Sequence, residues 1–343
     1  LPGAVPDATT DSTAPAREPQ TVLQMSPQPT LLKPLISAEP SASQSAVDSS
    51  ARADKTTSIA SEKQSVQFHA RSSSETRASP VRPESAPSAA VRETLEETGL
   101  HVVLHQSLTP QEYIFDNLPK TVFYWRARLV KPPVFVPNEE ADKLVWVSLK
   151  AALKLLTYEV DRELAKEAFK AKDTKPLILL RHATSEKRVE WADRYSKAIP
   201  PDSFRPLTAA GITQTHLIAD LLSAFGVTKI ISSDSIRCIA TVSPYAASSE
   251  LSLEAYQNLS ELGWAVNNQP GLNLVKKLAK ENESIVICGH RPALPALAEA
   301  ISQELNCEDL DATLPPGGLV VIHRDVTKLN KSVKSVEKFI VVE

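Results

Sequence analysis

No glycine stands between Gly3 and Gly99, and the 343 residues hold nine in all. A long stretch without glycine offers few positions for left-handed turns or close backbone approaches. Cysteine is equally scarce: Cys238, Cys288 and Cys307 show neither metal-ligand spacing nor an even disulfide framework, which points to a reducing, cytoplasmic compartment. No apolar run reaches the length of a membrane span, so no membrane association is expected. No basic start leads into an apolar core, so a signal peptide is not indicated either. The chain opens on Leu1 rather than Met, as a fragment, a processed form or a product of a non-ATG start would. Basic residues do not predominate: 38 Lys and Arg stand against 41 Asp and Glu, a net charge of −3 that gives no reason to expect nucleic acid as a partner. The sequence carries no signal for an oligomeric state.

What is present changes character along the chain. Residues 1–77 are rich in Ser, Ala, Pro and Thr, a disorder composition, with "SVQFHA" (65–70) the one candidate strand near its end. From about residue 88 regular patterns begin. "SAAVRETLEETG" reads as a helix closed by Gly99, "HVVLHQS" and "TVFYWRARLV" as strands, "KLVWVSL" as a shorter strand, and 149–172 as one helical stretch. After a boundary near 173–175, apolar strands ("PLILLRHA", "TKIISS", "SIVICGH", "GLVVIHR", "KFIVVE") alternate with amphipathic helices (210–226, 271–282, 294–305). That alternation predicts a three-layer α/β domain around a mostly parallel sheet.

Two motifs carry chemistry. In "RETLEETGL" (92–100), Glu93 and Glu97 lie one turn apart on a helix face, with Glu96 beside them. Like charges at that spacing cost about 0.2–0.5 kcal/mol per pair. A hard divalent cation would reverse the sign. A solvated helix face, with Arg92 and Glu96 as an ordinary i,i+4 pair, is the competing reading. In the second half, Arg181–His182 and His290 each lie just past a predicted strand, where ligands bind in open α/β sheets. A lone His at a strand end is more often structural, and it is the company these residues keep that makes them candidates.

The first motif resembles the second half of the Nudix box. Arg92, Glu93, Glu96, Glu97, Gly99 and Leu100 match, and Glu84 falls on the upstream glutamate position. Ala78 stands at the box's first glycine, Pro83 where another glycine is usual, and Thr94 where an aliphatic residue is usual. The resemblance implies a Nudix α/β/α domain over 78–172, incomplete or divergent at its start, with loss of its first strands as one form of that. It also implies Mg²⁺ (or Mn²⁺) held by Glu93, Glu96 and Glu97, with Glu140 from "NEEADKLVW" assisting and Arg92 orienting a glutamate. A shifted reading frame is one expectation for the residues before about 85.

The second motif, "LILLRHATSEKR" (177–188), resembles the Arg-His signature of the histidine phosphatase superfamily, the branch of phosphoglycerate mutases and small phosphohistidine phosphatases. "RPLTAAGITQ", "SSDSIRCIATVSP", "LSELGW" and "VICGHRPAL" follow in the family's order. The resemblance implies a domain over 173–343 that needs no metal. His182 is its expected nucleophile, Arg181, Arg237 and His290 surround the phosphoryl oxygens, and Glu261 is the acid. Arg188 and Arg291 are candidate substrate contacts, with plain surface charge as the alternative.

Joined, the halves are similar to two-domain MutT-like bacterial enzymes. Expected substrates are therefore nucleotides such as 8-oxo-dGTP or dinucleoside polyphosphates. Two alternatives stand beside this reading. One is a phosphatase alone, attached to a non-catalytic Nudix remnant. The other is a Nudix half that only binds nucleotide or a partner. Tyr113, Phe123, Tyr124 and Trp125 could stack a base. Strand burial accounts equally well for Phe123 and Trp125, and core is the favoured expectation for those two.

Overall fold

The computed structural model describes residues 70–71, 84–115, 117–132, 134–138, 141–196, 198–326 and 332–341. Of 1–77, where disorder is expected, only 70–71 are described, as a short strand that begins at the last residue of the candidate strand 65–70; the rest of that segment, Ala78, Pro83 and Glu140 fall outside these residues. The first half runs β1 (Ala70–Arg71), α1 (Ala86–Thr98), β2 (Val102–Ser107), β3 (Gln111–Phe115), β4 (Leu118–Phe123), β5 (Trp125–Leu129), α2 (Leu149–Leu155) and α3 (Glu159–Lys170). Helix α1 starts where the Ser85 hydroxyl accepts from Ser88 N at 3.3 Å. It stops at Gly99, whose φ of 68° is left-handed and whose missing Cβ would lie 2.1 Å from the Val134 carbonyl oxygen.

Three of the sequence expectations need correction here. Residues 121–130 do not form one strand. The chain switches sheets at Tyr124, so that β4 pairs with β1 and β3 while β5 pairs with β2. The buried Tyr124 anchors the switch: its carbonyl accepts from Leu108 N at 2.8 Å, and its hydroxyl donates to Gln111 Oε1 at 3.1 Å. The break also shifts the alternation, burying Tyr124 and Trp125 together and leaving Phe123 39% exposed on the outside. The helical stretch 149–172 is broken at 156–158, because Leu156 turns extended and tucks against Ala152 and Ala165. Residues 143–149 are coil up to the start of α2, with no partner strand among the described residues, although Leu144 and Trp146 still pack on the core.

The second half continues with β6 (Lys175–Arg181), α4 (Arg188–Tyr195), α5 (Ala209–Ala224), β7 (Lys229–Ser233), α6 (Ile236–Ser249), β8 (Leu253–Tyr256), α7 (Glu261–Val266), α8 (Gln269–Leu278), β9 (Ile285–Gly289), α9 (Leu294–Leu305), β10 (Gly318–Asp325) and β11 (Ser332–Ile340). These strands form one sheet in the order β11-β10-β6-β9-β7-β8. Strands β6, β9, β7 and β8 run parallel, and β10 and β11 add an antiparallel edge. Alternate residues feed two cores. Ile178, Leu180, Ile230, Val286 and Val321 face α5 and α6, whereas Leu177, Leu179, Ile231, Ile287 and Ile322 face α8 and α9. The second half is thus a three-layer α/β domain around a mostly parallel sheet.

The α5/α6 core does not stop at residue 173. Ala89 and Ala90 of α1, Leu100, Leu104 of β2 and Trp125 of β5 belong to the same buried cluster as Leu221 and Phe225. A polar chain crosses the same junction. Trp125 Nε1 donates to Glu337 Oε1 at 2.9 Å, Glu337 Oε2 meets His323 Nε2 at 2.7 Å, and His323 Nδ1 meets Thr174 Oγ1 at 3.2 Å. Thr174 N then donates to His105 Nδ1 at 2.8 Å. Burial pulls the His105 imidazole down to about 4, so it stays neutral.

Arg324 is fully buried, with no carboxylate paired to it among the described residues. Its guanidinium donates to the carbonyls of Lys175, Pro176, Leu278, Ala279, Glu281 and Glu283, at 2.6–3.4 Å. Burial draws it down to about 10, and it remains charged at neutral pH.

Because the halves share a core, urea denaturation followed by tryptophan fluorescence should show one transition. Glu337→Ala strips two buried donors of their acceptor and should lower stability by about 1–3 kcal/mol within that single transition. Two separate transitions, with only the second one shifted, would contradict this.

Candidate active site

The site forms because two neighbouring parallel strands end together. Arg181, the last residue of β6, pairs in register with Gly289, the last of β9, and His182 N donates to the Gly289 carbonyl at 3.1 Å. His182 and His290 therefore emerge side by side, their rings 5.3 Å apart. The loop after His182 is pinned from below by α5. Thr208 caps that helix by accepting from Gly211 N at 3.0 Å, and Thr208 N donates to the Thr184 carbonyl at 3.0 Å. Only glycine fits at 211, where a Cβ would sit 1.9 Å from that same carbonyl oxygen.

His182 is 5% exposed, and its Nδ1 lies 2.8 Å from the Ala183 carbonyl. A carbonyl only accepts, so the proton sits on Nδ1 and the Nε2 lone pair is left for chemistry. Burial, supplemented by Arg237, Arg181 and Arg205, lowers this imidazole to about 4 against the opposing pull of the Ala183 bond. His290 is fully buried, with Nε2 2.9 Å from Ser233 Oγ and Nδ1 3.3 Å from Arg237 Nη2. Burial lowers it as well.

Arg237, in the first turn of α6, is 1% exposed. Its Nη1 donates to the Asp202 carbonyl at 2.7 Å, and its Nη2 meets Asp202 Oδ2 at 3.0 Å and Glu261 Oε1 at 3.2 Å. Glu261, at the start of α7, also pairs with Arg188. The structure thus brings together Arg181, His182, Arg237, Glu261 and His290, with Arg188 and Arg291 on the wall of the same cleft of about 180 Å³.

Sequence reasoning missed three members: Asp202, Arg205 and Ser233. Asp202 accepts from Arg188 Nε and Arg205 Nε, each at 3.0 Å, in addition to holding Arg237. Though burial opposes it, the hydrogen bonds from Arg205 and Arg188 and the charge of Arg237 hold its carboxyl well below the usual range. The available signal was the pairing of Asp202 with Arg205 at i,i+3 in "DSFRPLT". His182, Glu261 and His290 also offer ligand atoms within 4.8 Å of one another. Such a trio could grip a cation, but the guanidiniums of Arg181, Arg188, Arg205, Arg237 and Arg291 make the potential here positive and favour an anion.

In the first half, Glu93, Glu96 and Glu97 lie on α1 as expected from the helix reading. Arg92 gathers the charge: it makes three contacts of 2.9–3.1 Å to Glu84, one of 2.7 Å to Glu96 and one of 3.5 Å to Glu93. These bonds raise the Arg92 guanidinium further above its ordinary value, the Glu84 bond most. Asn138 Nδ2 donates to the Glu97 carbonyl at 2.9 Å, so the segment that leads to residue 140 crosses the end of the glutamate helix.

Residues 177–270 match the family model for the histidine phosphatase superfamily (branch 1). A relative from Mycolicibacterium smegmatis named 8-oxo-(d)GTP phosphatase is 33% identical over 217 residues, which is 63% of this chain and 65% of that protein. The chain therefore spans just under two thirds of that relative's length. Among solved structures, SixA from Agrobacterium tumefaciens shares 20% identity at a TM-score of 0.34, covering 48% of this chain and 99% of that one. A phosphoserine phosphatase from Entamoeba histolytica shares 15% at 0.32, covering 47% and 96%.

The depressed imidazole of His182 has a consequence for stability. The unfolded chain takes up a proton near pH 6.5 while the folded chain resists until about pH 4, so stability is fully present above 6.5 and is lost as pH falls through that window. The gap corresponds to about 3 kcal/mol. The slope of unfolding free energy against pH should be shallower in His182→Gln, and an unchanged slope would mean that His182 titrates as an ordinary imidazole.

Proposed function

We propose that the second half is a phosphatase working through a phosphohistidine. The observation that carries this reading is the His182 ring: neutral, locked by the Ala183 carbonyl, with its Nε2 lone pair free beside a cluster of guanidiniums. The His182 Nε2 attacks phosphorus and the bond to the leaving oxygen breaks, while Glu261 supplies the proton that oxygen needs. Arg181, Arg237 and His290 hold the non-bridging oxygens, and their donors strengthen as charge builds on them. Water then attacks the phosphohistidine and gives its proton to Glu261, and His182 returns to its neutral form with release of phosphate. No step calls for a metal.

The first half is read as a Nudix pyrophosphohydrolase of nucleoside di- and triphosphate derivatives. Two observations support this reading. Arg92 ties together Glu84 before α1 and Glu93 and Glu96 on it, and the 217 residues matched to the M. smegmatis protein cannot all fit within 173–343 and so reach into the first half. The name of that protein supports 8-oxo-(d)GTP as substrate; dinucleoside polyphosphates carry the same phosphoanhydride link and belong to the same reading. The donor set is oxygen only, which suits Mg²⁺ or Mn²⁺ on Glu93, Glu96 and Glu97 with Glu140. When bound, the cation neutralises phosphate charge as water attacks. Arg92 keeps the helix glutamates in place. The protein acts in the cytoplasm on nucleotides, with neither nucleic acid nor membrane as partner.

Hydrolysis of 8-oxo-dGTP, with diphosphate and phosphate followed separately, tests both halves. Diphosphate release should require Mg²⁺ and vanish in Glu97→Gln. Phosphate release from a phosphomonoester should survive chelator and fall by about 10³-fold or more in His182→Ala. Metal-independent phosphate release without any diphosphate would leave the phosphatase alone standing.

A further inference from the structure

The phosphatase reading accounts for one phosphoryl group, yet the cleft carries more positive charge than one phosphoryl group needs. Arg188, Arg205 and Arg237 are each tied to Asp202 or Glu261. Arg181 and Arg291 have no carboxylate partner among the described residues. Arg181 reaches only the Leu314 carbonyl, at 2.8 Å, and its Nε is buried without an acceptor among those residues. Arg237 Nε is buried in the same condition. Arg291 stands exposed on the cleft wall beside Pro292, directly after His290. Burial lowers the Arg181 guanidinium and the charge of Arg291 lowers it further, while Glu261 opposes them, so the two like charges share a cleft whose one acid is already paired with Arg188 and Arg237.

Five guanidiniums therefore oppose two carboxylates, and the His182 imidazole adds no charge at neutral pH. The excess is three positive charges with Glu261 ionised and four when it carries the proton for the leaving oxygen. A phosphomonoester dianion balances two of them. A terminal diphosphate brings about three, and its second phosphate has the fork-shaped donor of Arg291 to meet it. We propose that the cleft reads two consecutive phosphates, the terminal one for attack by His182 and the next for Arg291, so that its preferred substrate ends in a diphosphate, as a nucleoside diphosphate does. This rests on the phosphohistidine reading above. In the reaction the Nε2–P bond forms and the bond from the terminal phosphorus to the bridging oxygen breaks. The leaving group is the nucleoside monophosphate, protonated from Glu261, and Arg291 stabilises its charge as it departs.

Steady-state kinetics of the full chain on ADP, AMP and p-nitrophenyl phosphate test this, with chelator present to silence metal-dependent hydrolysis. The wild-type chain should favour ADP over AMP by about tenfold or more in kcat/KM, the effect of one charge-assisted contact. Arg291→Gln should lower kcat/KM for ADP about tenfold more than it lowers that for p-nitrophenyl phosphate. Equal preference for ADP and AMP, or an equal loss on all three in Arg291→Gln, would overturn the two-phosphate subsite and leave the phosphatase intact. No hydrolysis by the wild-type chain, or hydrolysis that persists in His182→Ala, would overturn the phosphatase reading and the subsite with it.

Discussion

The buried guanidinium of Arg237 is the constraint around which the second half is organised. Removing such a cation from water costs several kcal/mol unless it is fully compensated. Compensation here comes as four groups from three separate places: the Asp202 carbonyl and carboxylate in the turn at 202–204, Glu261 at the start of α7, and His290 just past β9. Each must arrive correctly for the charge to be tolerated. Satisfying one buried ion therefore assembles the walls of the cleft, and the donors that an oxyanion would meet are already fixed before it binds. Asp202 has a double part in this, since the same carboxylate also holds Arg205 and Arg188.

The first half is held by a different logic. Residues of its α1, β2 and β5 join the core between α5 and the sheet of the second half and complete what α5 alone would leave open. The buried chain from Trp125 through Glu337 and His323 to Thr174 and His105 supplies direction where apolar contact supplies none. Apolar packing alone would tolerate sliding; a run of hydrogen bonds between buried partners does not. The acidic end of α1 and the arginine-lined cleft consequently belong to one continuous body.

Much of this was legible in the sequence because it is local. Apolar runs marked the central strands, Gly99 marked the end of the glutamate helix, and Arg181–His182 and His290 could be placed at strand ends from the runs before them. What escaped is long-range or arises from a change of partner. Nothing in "TVFYWRARLV" announces that Tyr124 is shared between two sheets, and the resulting parity shift is why Phe123 lies outside. Leu156 breaks a helix that propensity would have continued, because a second helix is there to receive it. Arg92 and Glu96 are visible as an i,i+4 pair, but Glu84 reaches Arg92 from outside the helix. Asp202 looked like one more acid in a loop, since its partner Arg237 lies 35 residues away.

Arg324 adds a point about the order of assembly. Its acceptors come from the first strand of the second half, from the end of α8 and from the turn before β9, whereas the arginine itself is on the strand next to the edge. None of these carbonyls is near it in the chain. A growing or partly folded chain that lacks β10 has a sheet centre whose carbonyls are still turned to water, and one that has β10 without α8 must keep a full charge out of the core. The guanidinium thus acts as a check on completeness. The sheet closes around this charge only when β6, the end of α8 and the turn before β9 are all in place to receive it.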